Sequence, residues 1–293
     1  MSDPNIDPKI YELYDEYCHT EMPRREFLRR AGAVAVVGGS GLAMAQALLP
    51  HYAQAQTTSF TDDRIKANYV TYPSPDGNAS EMRGYLVQPA GDGPFPAVVI
   101  VHENRGLNPY IEDVARRAAV EGFLALAPDA LTPLGGYPGN DDDGKVMQSK
   151  LDRDKIMIDM LNGARFVKAH EKSTGKLGAT GFCFGGAVTN FLAVEMGEDL
   201  QAAAPFYGSA PAMGRVPDIK AKVVVHYAEN DPRVNATRED YEAALKAAGA
   251  EYEIHTYPGT NHGFHNNSTP RYDESAAKLA WERTIALFNE KLS

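Results

Sequence analysis

Cysteine 183 stands in Gly181-Phe-Cys-Phe-Gly185, at the junction between an apolar run (176–180) and a segment of helical character (186–196). A residue bounded by glycines in this way has the G-x-nucleophile-x-G spacing of a nucleophile elbow, with a thiol in place of a hydroxyl. The glycines have a physical reason, because a sharp strand-to-helix turn leaves no room for neighbouring Cβ atoms and demands rare backbone angles. A buried structural cysteine is the competing reading. Partners decide between them. A thiol near its ordinary pKa of about 8.5 is mostly protonated at neutral pH, so nucleophilic chemistry needs a base. His262, in Gly259-Thr-Asn-His-Gly-Phe264, can supply it. Asp231, in Ala228-Glu-Asn-Asp-Pro-Arg-Val234, can hold the imidazole in the required tautomer and orientation. Taken alone, a loop Asp before Pro is a common turn former; the three residues together, each after an expected strand, form a nucleophile, an orienter and a base.

The elements that must position these groups follow from periodicity. Residues 96–102 form a continuous apolar run without alternation, which predicts a strand covered on both faces and central in a parallel sheet. Strands are expected at 67–72, 82–88, 123–127, 176–180, 202–207, 222–227 and 251–257. Helices are expected at 109–122, 156–170, 186–196, 238–248 and 270–292. Alternation of strands with helices predicts an α/β fold, with a mostly parallel sheet and helices on both faces. Function in such sheets gathers in loops at the carboxyl ends of the strands, where Cys183, Asp231 and His262 all fall. Residues 128–145, rich in Pro and Gly and ending in Asn140-Asp-Asp-Asp-Gly144, are expected to be a solvated loop or lid edge; EF-hand spacing fails there.

The chain of 293 residues, 43% hydrophobic, can bury a full core, and its formal charge of −10 argues against a nucleic-acid partner. Residues 1–55 read as an address. Arg24-Arg25 followed by Phe27-Leu28 precedes a diluted apolar stretch (31–49) containing Gly38 and Gly39, and Ala53-Gln-Ala55 has a small-x-small cleavage pattern. This resembles a bacterial twin-arginine (Tat) export signal, and its Ala and Gly content disfavours a stable membrane anchor. Removal after Ala55 would leave one domain, residues 56–293, in the periplasm or outside the cell. Cys183 would then be the sole thiol, because Cys18 is the only other cysteine. No disulfide framework is available.

With these residues in place, the chain from about 65 to 292 resembles the dienelactone hydrolase (carboxymethylenebutenolidase) family of α/β-hydrolases. The resemblance rests on Gly181-Phe-Cys-Phe-Gly-Gly186, Asp231, His262 in Gly-Thr-Asn-His-Gly-Phe, and Val101-His-Glu-Asn-Arg-Gly106. It implies a Cys183-His262-Asp231 triad that cleaves a small-molecule ester or lactone through an acyl-thioester. It also implies that Glu103 takes part in activating the resting thiol. In this fold the oxyanion is held by two backbone N–H donors, here Phe184 and Asn104. The family's carboxylate-gripping arginine, four positions after the catalytic histidine, is replaced by Asn266. Arg105, beside Glu103, is a candidate substitute for that grip. No cofactor is implied and no metal is expected: His102-Glu103 lacks the second histidine of a zincin, since Gly106 stands there. Two alternatives belong to other classes. One is a periplasmic thiol redox or peroxide-sensing protein, which would need a resolving thiol on a partner. The other is a noncatalytic binding protein on a hydrolase fold.

Overall fold

A computed structural model describes residues 6–20, 22–34, 40–50 and 52–293. Gly38 and Gly39 of the apolar stretch lie outside the described residues. The chain begins with helices α1 (Pro8–His19), α2 (Arg24–Ala33), α3 (Gly41–Ala47) and the short α4 (Tyr52–Ala55). Then follow β1 (Ile65–Pro73), β2 (Glu81–Pro89), β3 (Phe95–Val101), α5 (Pro109–Val120) and β4 (Leu124–Pro128). After α6 (Asp141–Gln148) and α7 (Arg153–Lys168) come β5 (Ser173–Phe182), α8 (Phe184–Met196) and β6 (Ala202–Phe206). The remainder is β7 (Lys222–Asn230), α9 (Pro232–Asn235), α10 (Arg238–Ala247), β8 (Tyr252–Asn261) and α11 (Glu274–Leu292).

The eight strands form one sheet in the order β1-β2-β4-β3-β5-β6-β7-β8. Pairing is antiparallel for β1 with β2 and β2 with β4, and parallel from β4 through β8. The expectation of a central, doubly covered β3 is met. Side chains alternate across a strand, so Ala97, Val99 and Val101 enter a core with α7, α8 and α10, while Val98 and Ile100 enter another with α5 and α11. Fully burying each of these Val and Ile side chains is worth about 1.5–3 kcal/mol relative to exposure. The strand is therefore a rigid platform for the loop that follows it.

Two expectations change. Residues 140–144 are not a solvated loop: Asn140 accepts a hydrogen bond from the Asp143 N–H and caps α6, whose first turn is acidic. Carboxylates favour a helix N-terminus because its N–H groups are unpaired and carry partial positive charge. The last helix starts later than expected, because Asp273 caps it by accepting from the Ala276 N–H, leaving residues 270–273 in the preceding loop.

The segment before β1 builds a small core of its own. Ile10, Tyr14, Tyr17 and Cys18 of α1 meet Phe27 and Ala31 of α2 and Leu48, with Tyr17 and Phe27 stacked at 4.8 Å. The i, i+3, i+4 spacing of Tyr14, Tyr17 and Cys18 gives α1 this face. No described helix is long and apolar enough to cross a membrane.

Candidate active site

Cys183 links β5 to α8 with φ 56° and ψ −111°, a conformation that costs energy for a side-chain-bearing residue. The flanking glycines make it sterically feasible. A Cβ on Gly181 would lie 2.3 Å from the Gly185 carbonyl oxygen, and one on Gly185 would lie 2.1 Å from that of Val101. The turn thus presses the start of α8 onto the end of β3, which carries Glu103 beside it. Burial pushes the Cys183 thiol up to about 12, and the nearby Glu103 carboxylate adds to the rise. Burial and Glu103 both disfavour the thiolate at rest.

Asp231 follows β7, and its side chain serves twice. One oxygen caps the single turn α9 by accepting from the Val234 N–H at 3.3 Å. The other is 2.5 Å from His262 Nδ1. Both residues are buried, and although burial alone would raise the Asp231 pKa, His262 and the hydrogen bonds hold it below the usual carboxylate value. His262 sits at the end of β8, held by the turn through Gly263, whose φ is 86°.

Glu103, just beyond β3, is also buried, and its pKa is raised by burial against the opposing influence of Arg105 and Arg271. Asn266 donates to Glu103 Oε2 at 3.1 Å while its own oxygen accepts from the Ser268 hydroxyl at 2.6 Å. The residue that stands where the family resemblance calls for an arginine is therefore the holder of Glu103. Arg105 is buried and engaged: Nη1 lies 3.3 Å from Asp141 Oδ2, and Nη2 donates to Cys18 Sγ at 2.9 Å. The Asn104 side chain is tied to the Cys18 carbonyl at 2.9 Å.

Glu103, Asn104, Arg105, Cys183 and His262 border one small space of about 10 Å³, room for roughly one water. A second space of about 950 Å³ also reaches Cys183 and Asn104, and is bordered by Phe184, Tyr207 and Arg233. The structure adds wall residues that sequence reasoning missed: Arg271, Asp141, Tyr14 and Cys18. The helical stripe of Tyr14, Tyr17 and Cys18 was a readable signal; Arg271, in an irregular loop, had none. Among the described residues no cluster of three His, Cys, Asp or Glu side chains is arranged to hold a metal ion.

The mostly parallel sheet, with the elbow after β5, the acid after β7 and the histidine after β8, defines an α/β-hydrolase. The dienelactone hydrolase family model matches residues 82–292, and the chain belongs to that family. It is a hydrolase. A separate family model, YqhI-like, matches residues 1–36. The chain is 32% identical over 267 residues to the "Putative carboxymethylenebutenolidase" of Methylorubrum extorquens, covering 86% of this chain and 90% of the relative. It is 60% identical over 114 residues to the "Putative hydrolase fragment YghX" of Escherichia coli, covering 39% of this chain and 97% of the fragment. Among solved structures, a "Putative Dienelactone Hydrolase" from Klebsiella pneumoniae superposes with TM-score 0.68 at 30% identity, covering 77% of this chain and 99% of the other.

Proposed function

We propose that the chain hydrolyses a small-molecule ester or lactone with Cys183 as nucleophile, His262 as general base and Asp231 as its orienting carboxylate. The observation that carries this reading is that His262, held 2.5 Å from Asp231, borders the same small space as a thiol held at positive φ. The relatives named as carboxymethylenebutenolidases and dienelactone hydrolases support the bond class.

His262 accepts the thiol proton as Cys183 Sγ bonds to the substrate carbonyl carbon, and negative charge collects on the carbonyl oxygen. The backbone N–H groups of Phe184 and Asn104 are the proposed donors to that oxygen. Collapse expels the alkoxide, which takes the proton from His262, and leaves an acyl-thioester; in a lactone the alcohol stays tethered. Water, deprotonated by His262, then attacks the thioester, and the carboxylic acid departs as the thiol is restored. Glu103 is assigned to activation. Its negative charge opposes ionisation of the resting thiol, so its catalytic contribution needs a change in its contacts once substrate enters.

The test is a panel of aryl esters and lactones against wild type and Cys183→Ala, with and without iodoacetamide. Turnover that survives both Cys183→Ala and alkylation would remove the thiol from the mechanism.

Export through the twin-arginine route, with removal after Ala55 and a periplasmic or secreted enzyme, is also our proposal. Arg24 and Arg25 are exposed on α2, as a receptor would require, although Phe27 is buried in the hairpin core. A doubly substituted Arg24→Lys, Arg25→Lys chain should stay in the cytoplasm, as read by fractionation. Unchanged export of that chain would reject the route.

A further inference from the structure

Two spaces of unequal size meet at Cys183, and helix α1 stands at both. Tyr14 and Cys18 border the space of about 10 Å³, whereas Tyr17 borders the space of about 950 Å³. Three cationic groups on this flank are in contact with α1. The Arg271 guanidinium carbon lies 4.7 Å from the centre of the Tyr14 ring, and its Nη1 lies 3.9 Å from Asp15. Arg105 donates to Cys18 Sγ at 2.9 Å. Lys145 donates to the Tyr17 carbonyl and stands 4.8 Å from the centre of that ring. Arg271 is 7% exposed, and its Nε has no hydrogen-bond partner among the described residues.

We propose that the α1–α2 hairpin is a specificity-determining wall of the active site: docked, it commits Arg105 and Arg271 to Cys18 and Tyr14 and closes the polar flank of Cys183 to anions. A guanidinium grips a carboxylate through parallel N–H donors. One that is stacked on a ring or bonded to a thiol has to leave those partners first. With the hairpin docked, as in the uncleaved chain, neutral substrates enter through the broad space; with it displaced, or removed with residues 1–55 on export, the two arginines face the thiol and anionic substrates gain a partner. This goes beyond the proposed hydrolysis. The wall acts on whatever approaches Cys183, so it can be tested without turnover.

Iodoacetamide and iodoacetate alkylate a thiolate by the same displacement of iodide and differ in charge. In the full chain, the Cys183 peptide is followed by mass spectrometry with each reagent, and the iodoacetate-to-iodoacetamide rate ratio is compared among variants. The ratio should rise about tenfold in Tyr14→Ala/Cys18→Ala, the size expected when one charge-assisted contact becomes available. Adding Arg271→Gln should return it towards the wild-type value, which a merely loosened structure would not do. Cys18→Ala alone, a smaller change, should give an intermediate ratio and protects the test if the double variant fails to fold. A ratio unchanged within about twofold in a folded variant overturns the proposal; so does a rise that survives Arg271→Gln and Arg105→Gln together. Ester turnover, measured beside it as para-nitrophenyl butyrate hydrolysis, reports separately on the hydrolase reading.

Discussion

Two acidic residues flank the same thiol and are held in opposite ways. Asp231 takes its support locally: it caps the turn that follows it and contacts His262, the residue directly after the neighbouring parallel strand β8. Glu103 depends on distant parts of the chain. Asn266 donates to it, Arg105 and Arg271 lie close enough to oppose its raised pKa, and Arg105 is in turn held by Asp141 of α6 and Cys18 of α1. The first arrangement keeps a carboxylate ionised beside an imidazole. The second keeps a carboxyl under burial, where its pKa is raised and where small changes in its neighbours alter its charge. A fixed orienter and an adjustable activator are different tasks, and the two environments match them.

Removing the shared target bears on both sides at once. Cys183→Ala should cost about 10⁶-fold in kcat, in line with nucleophile deletions in other acyl-transfer enzymes. Stopped or discontinuous assays with an aryl ester will check it. A loss below about 100-fold would mean that neither acid serves this thiol.

The next largest effect separates the two flanks. Asp231→Asn should lower kcat about 10⁴-fold, because an amide favours the wrong imidazole tautomer. It should also change acid stability. The folded-state pKa of Asp231 is depressed, so its contribution is present above the unfolded value near 3.9 and is lost as pH falls through the lower folded value. The wild type should therefore lose stability in that acid window to a greater extent than Asp231→Asn, as read by thermal melts below about pH 4.

Glu103→Gln sharpens the contrast through two readouts of opposite sign. Turnover should fall about 100-fold if Glu103 takes part in proton transfer during activation. Alkylation of the resting enzyme should become faster, because burial raises the Cys183 pKa first and Glu103 raises it further. In wild type, with that pKa at about 12, the iodoacetamide rate should climb about tenfold per pH unit from 7 to 9. A plateau near the ordinary thiol pKa of about 8.5 would contradict the buried resting thiol.

The same contrast decides what could be read from the chain. The α/β architecture and the elbow are legible because local patterns carry them: an unbroken apolar run for β3, and glycines at 181 and 185 that the turn requires. Asp231 and His262 are legible because each directly follows a strand end. Asn266 was visible only as a missing arginine, since its donation to Glu103 spans 163 positions and leaves no periodic trace. Asn140 to Gly144 misread as a loop because its acidic run resembles a solvated stretch until the cap hydrogen bond assigns it to a helix start. Residues 14–18 carry a helical stripe, but nothing in that spacing says that its outer partners are Arg271 and Arg105.

Asn266→Ala gives the smallest expected effect and the finest distinction. If Asn266 only orients Glu103, its loss removes one hydrogen bond to a buried carboxyl, worth about 1.5 kcal/mol or roughly tenfold in kcat. Its donation also favours the ionised form, so without it the Glu103 pKa should rise further above its ordinary value. The acid limb of the kcat profile should then move to higher pH if that limb reports Glu103. Among the described residues, no hydrogen bond joins Asp231 to Asn266 to carry the change across. A tenfold loss with an unmoved acid limb would assign Asn266 to packing of the 266–268 turn, where it also accepts from Ser268. A moved limb would place the adjustable charge on the β3 flank and leave Asp231–His262 as the fixed one.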